Sequence, residues 1–439
     1  MRKFLLRTFF ALTVVPFYVL ALNYIFEEPT ITWLYYSHVA VYFGFAVLLI
    51  LAIWGIYKLK TWRISLLVVL AMVILLDVGL LIRGVNPYMI KFRKDYSADY
   101  GVINTPNMRT YVSYSNRNSG DLLEAYNLDP LSLPDIDFPL ETHEFNYEID
   151  SNGFRNESAD EKKDILFIGD SLTIASSMEG EKGWPGVAGN LLNINGYNLG
   201  INQIGPANYL KILRHFSGDS KKAVIAFFEG NDFDKLYYEV GMNSDRTNLW
   251  YWINYIIEER RAGEIVATPA VSDFSVPIFR VGESEFPMIF YEHYVNNLQR
   301  SEEVIKGLDS YEEFKDVVVK MGAECRDNEM ECVFLYIPTK LRVYIPYIKN
   351  QLNLSEMYKN LQKPITVYQD SVFYYKDVQE KIVKDLIEEY APNMRYLSST
   401  EALKDHAKNG ELVYYPYDTH LNELGNRVLG ELVAEFFSQ

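Results

Sequence analysis

The sequence has few cysteines and lacks the short motifs that announce a cofactor. Only Cys325 and Cys332 occur in 439 residues, which excludes a disulfide-built scaffold. There is no CxxC pair, no HExxH and no Walker A loop, so neither a metal nor a nucleotide phosphate has a motif to hold it. No cofactor and no metal is expected. Positive charge is also short: 42 Lys and Arg face 58 Asp and Glu, leaving a formal net charge of −16. Such a surface repels phosphate backbones, which excludes nucleic acid as a partner. The two cysteines are spaced so that a helix end and the start of the next strand could be clipped together outside the cytosol. Two free buried thiols are the alternative.

What the chain does have, at its start, is long apolar runs. Thr8–Phe26 and Pro29–Tyr57 carry no charge, and Ile64–Ile82 carries only Asp77. About 20 apolar residues cross the hydrocarbon core as a helix, so three transmembrane helices are expected in residues 1–83. Arg2, Lys3 and Arg7 before the first run, with Lys58, Lys60 and Arg63 between the second and third, place the N-terminus in the cytoplasm. The rest of the chain is then outside. Arg83, Lys91, Arg93 and Lys94 argue against that orientation.

Residues 84–150 read as an irregular or β-rich connector, and Phe145–Asn156 as a hairpin around Ser-Asn-Gly. From 151 to 439 the pattern is α/β. Strand-like runs fall at 165–169, 196–200, 223–228, 332–338 and 395–398, with helical stretches between them. That alternation implies a parallel sheet covered on both faces, with ligands at the carboxyl ends of its strands.

This rule separates two Gly-Asp-Ser triplets. Ser171 follows the buried run ILFIG directly and precedes a helix, where free backbone N–H groups and the helix dipole favour a developing negative charge. Ser220 precedes its strand and belongs to a polar turn at the opposite edge. Three other strand ends add chemistry to the first edge. GYNLG ends at Gly200, AVIAFFEGND places Asn231 past the third strand, and YYPYDTHLN places Asp418 and His420 ahead of a helix starting near Asn422. Of six histidines only His420 has a carboxylate neighbour in a strand-end loop. Nucleophile, base, orienting acid and three oxyanion donors thus come from one edge.

Together GDSLT, NLG, GND and DTHLN, in that order, resemble the four blocks of the SGNH (GDSL-type) hydrolases over roughly residues 150–439. The resemblance implies a flavodoxin-like three-layer α/β/α sandwich with a parallel sheet, preceded here by the three N-terminal helices, and with an inserted segment at about 233–308. It implies Ser171 as nucleophile, His420 as general base and Asp418 as its orienting acid. Ser171, Gly200 and Asn231 would form the oxyanion hole. Asp170 and Lys340 are candidate substrate contacts, Lys340 because it follows the fourth strand in IPTKLRVYIPYI. One departure is the single residue between Asp418 and His420, where many members have two.

The expected activity is that of a membrane-anchored serine esterase acting on O-acyl esters, O-acetyl among them, of a cell-envelope glycan or lipid. Two alternatives stand beside it. One is an O-acyltransferase working with a membrane-bound acyltransferase partner, and the other an inactive glycan-binding or scaffold protein. The expected location is a bacterial cytoplasmic membrane, multi-pass, with the catalytic domain facing the periplasm or exterior.

Overall fold

The five apolar runs of the α/β region become one sheet. The computed structural model describes residues 94–97, 101–104, 106–126, 128–160, 162–234, 276–359 and 366–439. Its strands are β1 Lys94–Ser97, β2 Gly101–Asn104, β3 Arg109–Ser115, β4 Thr142–Glu148, β5 Ile165–Gly169, β6 Gly196–Gly200, β7 Lys222–Phe228, β8 Ile278–Val281, β9 Ser284–Pro287, β10 Glu331–Ile337 and β11 Met394–Ser398. Five of these form a sheet in the order β11-β10-β7-β5-β6, and all of its pairings are parallel. From β5 the chain steps outward to β6 and then returns past β5 to β7. The crevice at the carboxyl ends of β5 and β7 is therefore the topological switch point, where ligands of such sheets bind.

Alternate strand residues face opposite layers. Phe167, Val224, Ala226, Val333 and Leu335 join one apolar cluster, to which the helices Trp184–Leu192, Lys340–Ile348, Thr400–Lys408 and Glu423–Ser438 contribute. Leu166, Ile168, Ile225, Phe334 and Tyr336 join another, with the helices Pro206–Phe216, Asp309–Asp327 and Val378–Tyr390. Helix, sheet and helix thus make three layers. The longest of these helices, Asp309–Asp327, buries Phe314, Val317, Val318, Met321 and Cys325, one stripe at helical spacing. Cys325 at its end is bonded to Cys332 in β10 (S–S 2.05 Å), so the clip forms and the thiols are not free.

The hairpin expected at Phe145–Asn156 does not form. β4 pairs instead with β3, antiparallel, with Arg109 opposite Glu148. Asp150 accepts hydrogen bonds from the Asn152 and Phe154 N–H groups and closes the turn through Gly153 at φ 87°. Arg155 then donates inward to the carbonyls of Ile174, Ala175 and Met178, so the chain enters the core and does not return along β4.

Of the segment expected as an insertion at 233–308, residues 235–275 lie outside the described residues, and so do both of its aromatic runs. The described part carries the β8–β9 hairpin and the short helices Glu292–Asn297 and Glu302–Lys306. Phe279, Phe286, Met288 and Phe290 from it are packed into the main core.

The three apolar segments between Thr8 and Ile82 also lie outside the described residues. Among the described residues no helix is long and apolar enough to cross a membrane. The multi-pass placement expected from hydropathy is corrected on that finding. The described helices are short or, like Asp309–Asp327, carry acids and lysines opposite their apolar stripe, which the hydrocarbon core would not accept.

Candidate active site

Three loops meet at the switch-point edge. The first follows β5. A Cβ on Gly169 would lie 2.1 Å from the Thr173 hydroxyl, so the bare backbone lets the chain turn at once into Ser171. The Asp170 carboxylate accepts the Leu172 N–H at 3.0 Å and caps the turn. Its side chain is buried, and one of its two carboxylate oxygens serves the cap. The helix is a single turn, Ser171–Ile174, ended by Ala175 at φ 52°. One turn sums little dipole, so the dipole support expected at Ser171 is small. What remains is the position of the Ser171 N–H in a first turn, where amides have no intrahelical acceptor. Ser171 itself is partly exposed.

The second loop leaves β6. A Cβ on Gly200 would sit 2.4 Å from the Ile174 nitrogen and 2.8 Å from the Thr173 carbonyl carbon. Backbone cannot yield as a flexible side chain does. Gly200→Ala is expected to destabilise the protein by about 1–3 kcal/mol, read as a lower midpoint in urea unfolding, and to slow any reaction at Ser171 by shifting its turn. The Gly200 N–H is not open to a ligand, however: it donates to Asn198 Oδ1 at 2.9 Å. This expected oxyanion donor is corrected to a structural one, because the Asn198 side chain curls back onto its own strand end.

The third loop leaves β7 and carries Asn231. Its neighbour Asp232 is buried and accepts the Phe228 N–H at 2.8 Å and the Tyr209 hydroxyl at 3.0 Å. Asn297 holds the Gly230 carbonyl at 2.9 Å. On its other side Glu229 is fully buried, accepting from Tyr336 OH (2.8 Å), Thr339 N (2.8 Å) and the Arg342 guanidinium. The loop is thus fixed at both ends while Asn231 stays partly exposed, its Oδ1 buried and without a hydrogen-bond partner. That oxygen is an acceptor, so the oxyanion donor expected of Asn231 would have to be its Nδ2 amide.

Opposite these loops, His420 Nδ1 lies 2.5 Å from Asp418 Oδ1, which also accepts the His420 backbone N–H at 3.0 Å. The single intervening residue therefore still lets the acid reach the ring. Ser171 and His420 line one small cleft with Ala175, Ser176, Met178 and Leu421. Burial opposes the Asp418 charge, but His420, its hydrogen bonds and Lys340 outweigh that and hold the carboxyl well below its usual range. Burial likewise opposes the His420 charge. Asp418 first, then Asp121 and Asp170, overcome it and raise the imidazole to about 9.

Lys340 is buried, and its ammonium donates to the carbonyls of Tyr415 (3.0 Å), Pro416 (3.0 Å) and Asp418 (2.7 Å). It clamps the Asp418–His420 loop from a buried position, which corrects its candidate role as a substrate contact. Burial pushes it down to about 7 against the pull of Asp121 and Asp418. Two residues without a motif also reach the loop. Tyr114 OH donates to Asp418 Oδ2 at 3.3 Å, and Asp121 Oδ2 lies 3.8 Å from His420 Nδ1. Both come from the stretch before the α/β region, where nothing in the local pattern marks them. The decoy Ser220 is buried at the opposite edge, donating to the Asp164 carbonyl at 2.9 Å.

Among the described residues, two sets of donor atoms each cluster within 4.8 Å: Asp121 with Asp418 and His420, and Glu141 with His143 and Glu423. In both, the histidine is hydrogen-bonded to a carboxylate of the set.

The parallel sheet brings the GDSLT, NLG and GND motifs to its carboxyl edge, and with the Asp418–His420 pair it makes an α/β arrangement that resembles that of the SGNH (GDSL-type) hydrolases. No family model matches the sequence, and no curated protein matches it. Among solved structures the chain is similar to a G-D-S-L family protein from Desulfitobacterium hafniense DCB-2, at 15% identity over 63% of this chain and 99% of that one, TM-score 0.29. It is also similar to a carbohydrate esterase family 2 enzyme from Corynascus thermopiles, at 12% identity over 69% and 70%, TM-score 0.30. A third is a family two carbohydrate esterase from Clostridium thermocellum in complex with cellohexaose, at 10% identity over 76% and 86%, TM-score 0.31.

Proposed function

We propose that the protein is a serine esterase that removes O-acyl groups, O-acetyl first among them, from a glycan or lipid alcohol through an acyl-enzyme. Ser171 Oγ attacks the ester carbonyl while His420 takes its proton. Asp418 holds the opposite ring nitrogen and so fixes tautomer and orientation. The alcohol leaves with the proton from His420. Water, deprotonated by the same ring, then frees the acid and restores Ser171. The Ser171 N–H and the Asn231 side chain receive the charge on the carbonyl oxygen. The observation that carries this reading is the 2.5 Å Asp418–His420 contact, in a loop whose ring shares a cleft with Ser171.

The test is acetate release from acetylated oligosaccharides by the full chain, together with covalent labelling of Ser171 by a fluorophosphonate. Labelling with acetate release supports the esterase. Labelling with acetyl transfer to added sugar, and no release, replaces it with an acyltransferase. Neither signal leaves a binding protein and sinks the proposal.

A pH dependence follows from the histidine. Only the neutral imidazole can accept a proton, and the carboxylates beside His420 raise it to about 9. kcat/KM is therefore expected to rise with pH through a midpoint near that value, well above the 6.5 of an unperturbed histidine. A midpoint at or below 6.5 in the pH–rate profile would contradict it.

A further inference from the structure

Asp121 begins a short helix, Asp121–Ala125, and stands 297 residues ahead of Asp418 in the chain. Yet it is built into the catalytic loop. The Leu122 N–H donates to the Tyr417 carbonyl at 3.1 Å, and a Cβ on Gly120, at φ 154°, would lie 2.2 Å from that oxygen. The Asp121 N–H and the Tyr114 hydroxyl both donate to Asp418 Oδ2, each at 3.3 Å. In return the Thr419 N–H donates to Asp121 Oδ1 at 2.8 Å and the Thr419 hydroxyl to Asp121 Oδ2. That second oxygen then lies 3.8 Å from His420 Nδ1. The ring faces two carboxylates, one from its own loop and one from the stretch preceding the α/β region.

We propose that Asp121 is a positioning residue for His420: it locks Thr419, and with it the plane of the ring, and its charge stabilises the imidazolium formed when Ser171 gives up its proton. The inference rests on the reading of His420 as the base. The bond count favours it. Asp418 Oδ1 serves the ring, while Oδ2 takes its donors from Tyr114 and Asp121, so the geometry of the pair depends on both partners. Other groups also face this loop: Asp170 at the cap of the serine turn, Lys340 beneath the loop, and Glu141 and Glu423 beside Tyr415. They are constant in a comparison that changes Asp121 alone.

Asp121→Asn keeps an oxygen for the Thr419 N–H and removes the charge. In the full chain, with 15N-labelled histidine and His420 assigned by difference against His420→Gln, its titration midpoint is expected to fall by at least about 0.5–1 pH unit, the effect that a unit charge some 4 Å away has in bulk water. The midpoint of the kcat/KM profile should fall with it, and kcat should drop several-fold with KM unchanged. Asp121→Glu should recover part of both. Superimposable His420 titrations for wild type and D121N would overturn the proposal, even if the variant were uniformly slower, since that is the mark of a brace alone. Should D121N not fold, Asp121→Ser, which keeps an acceptor for Thr419, carries the same two readouts. Failure of the esterase reading is seen separately, as hydrolysis that does not depend on Ser171, while the titration still reports on Asp121.

Discussion

Replacing Ser171 with Ala is expected to lower kcat for acetyl-ester hydrolysis at least about 10³-fold with little change in KM. The hydroxyl contributes little to ground-state binding, but without it no acyl-enzyme can form. The residual rate would come from the oxyanion donors and from water activated by His420. The companion change Ser220→Ala tests the other Gly-Asp-Ser. Ser220 Oγ donates to the Asp164 carbonyl at 2.9 Å, has the Lys222 carbonyl as a second acceptor at 3.1 Å and accepts the Lys222 N–H at 3.2 Å, all at the amino edge of the sheet. Its loss should leave kcat unchanged and cost about 1 kcal/mol of stability. Both are read from steady-state kinetics and urea unfolding on the same preparations. Wild-type rates in Ser171→Ala would remove the serine chemistry altogether.

The second large effect lies beneath the site. Arg342→Met is expected to destabilise the protein by about 3–5 kcal/mol, because it leaves a buried carboxylate without its counter-charge. The Arg342 side chain is 3% exposed and that of Glu229 is 0% exposed. The guanidinium also pairs with Glu380 and, at 3.2 Å, with Asp377, so three acids lose one partner. The loss should reach the chemistry. Glu229 precedes Gly230 and Asn231, and its carbonyl is held by Gln379 at 2.9 Å. A loosened Glu229 would release the loop that presents Asn231 and lower kcat along with stability. The double variant Glu229→Gln/Arg342→Met should lose less than the sum of the two single changes, since it removes the unpaired charge as well as its partner. Additive losses would show that the pair is not coupled.

Much of the catalytic edge was legible because strands announce themselves. ILFIG and AVIAFF are buried throughout, and GYNLG buries Tyr197, Leu199 and Gly200. A residue directly after such a run must lie at the carboxyl edge of a parallel sheet. That placed Ser171 and Asn231 at one edge and separated Ser220 from them, while Asp418 and His420 were read from the loop ahead of the last helix. The same reasoning failed where a role depends on which way a side chain turns. Asn198 occupies the Gly200 amide, and Lys340 turns inward to three carbonyls. A lysine after a strand reads as a surface charge; only the packed loop shows that it serves as a clamp. The Phe145–Asn156 turn failed for a related reason. Its residues permit a hairpin, but β3, some thirty residues upstream in the chain, supplies the partner for β4.

The sequence by itself determined the class of fold and named the candidate reacting groups, since both follow from local order: apolar runs of fixed length, and polar residues in the loops near their ends. Tertiary structure alone decided how those groups are held. Asp121 and Tyr114 reach the Asp-Thr-His loop across some 300 positions of chain, and Arg155 braces the serine turn from behind. Contacts between distant segments leave no period and no spacing to read. They arise when burial brings polar groups together out of water, where each must find a partner.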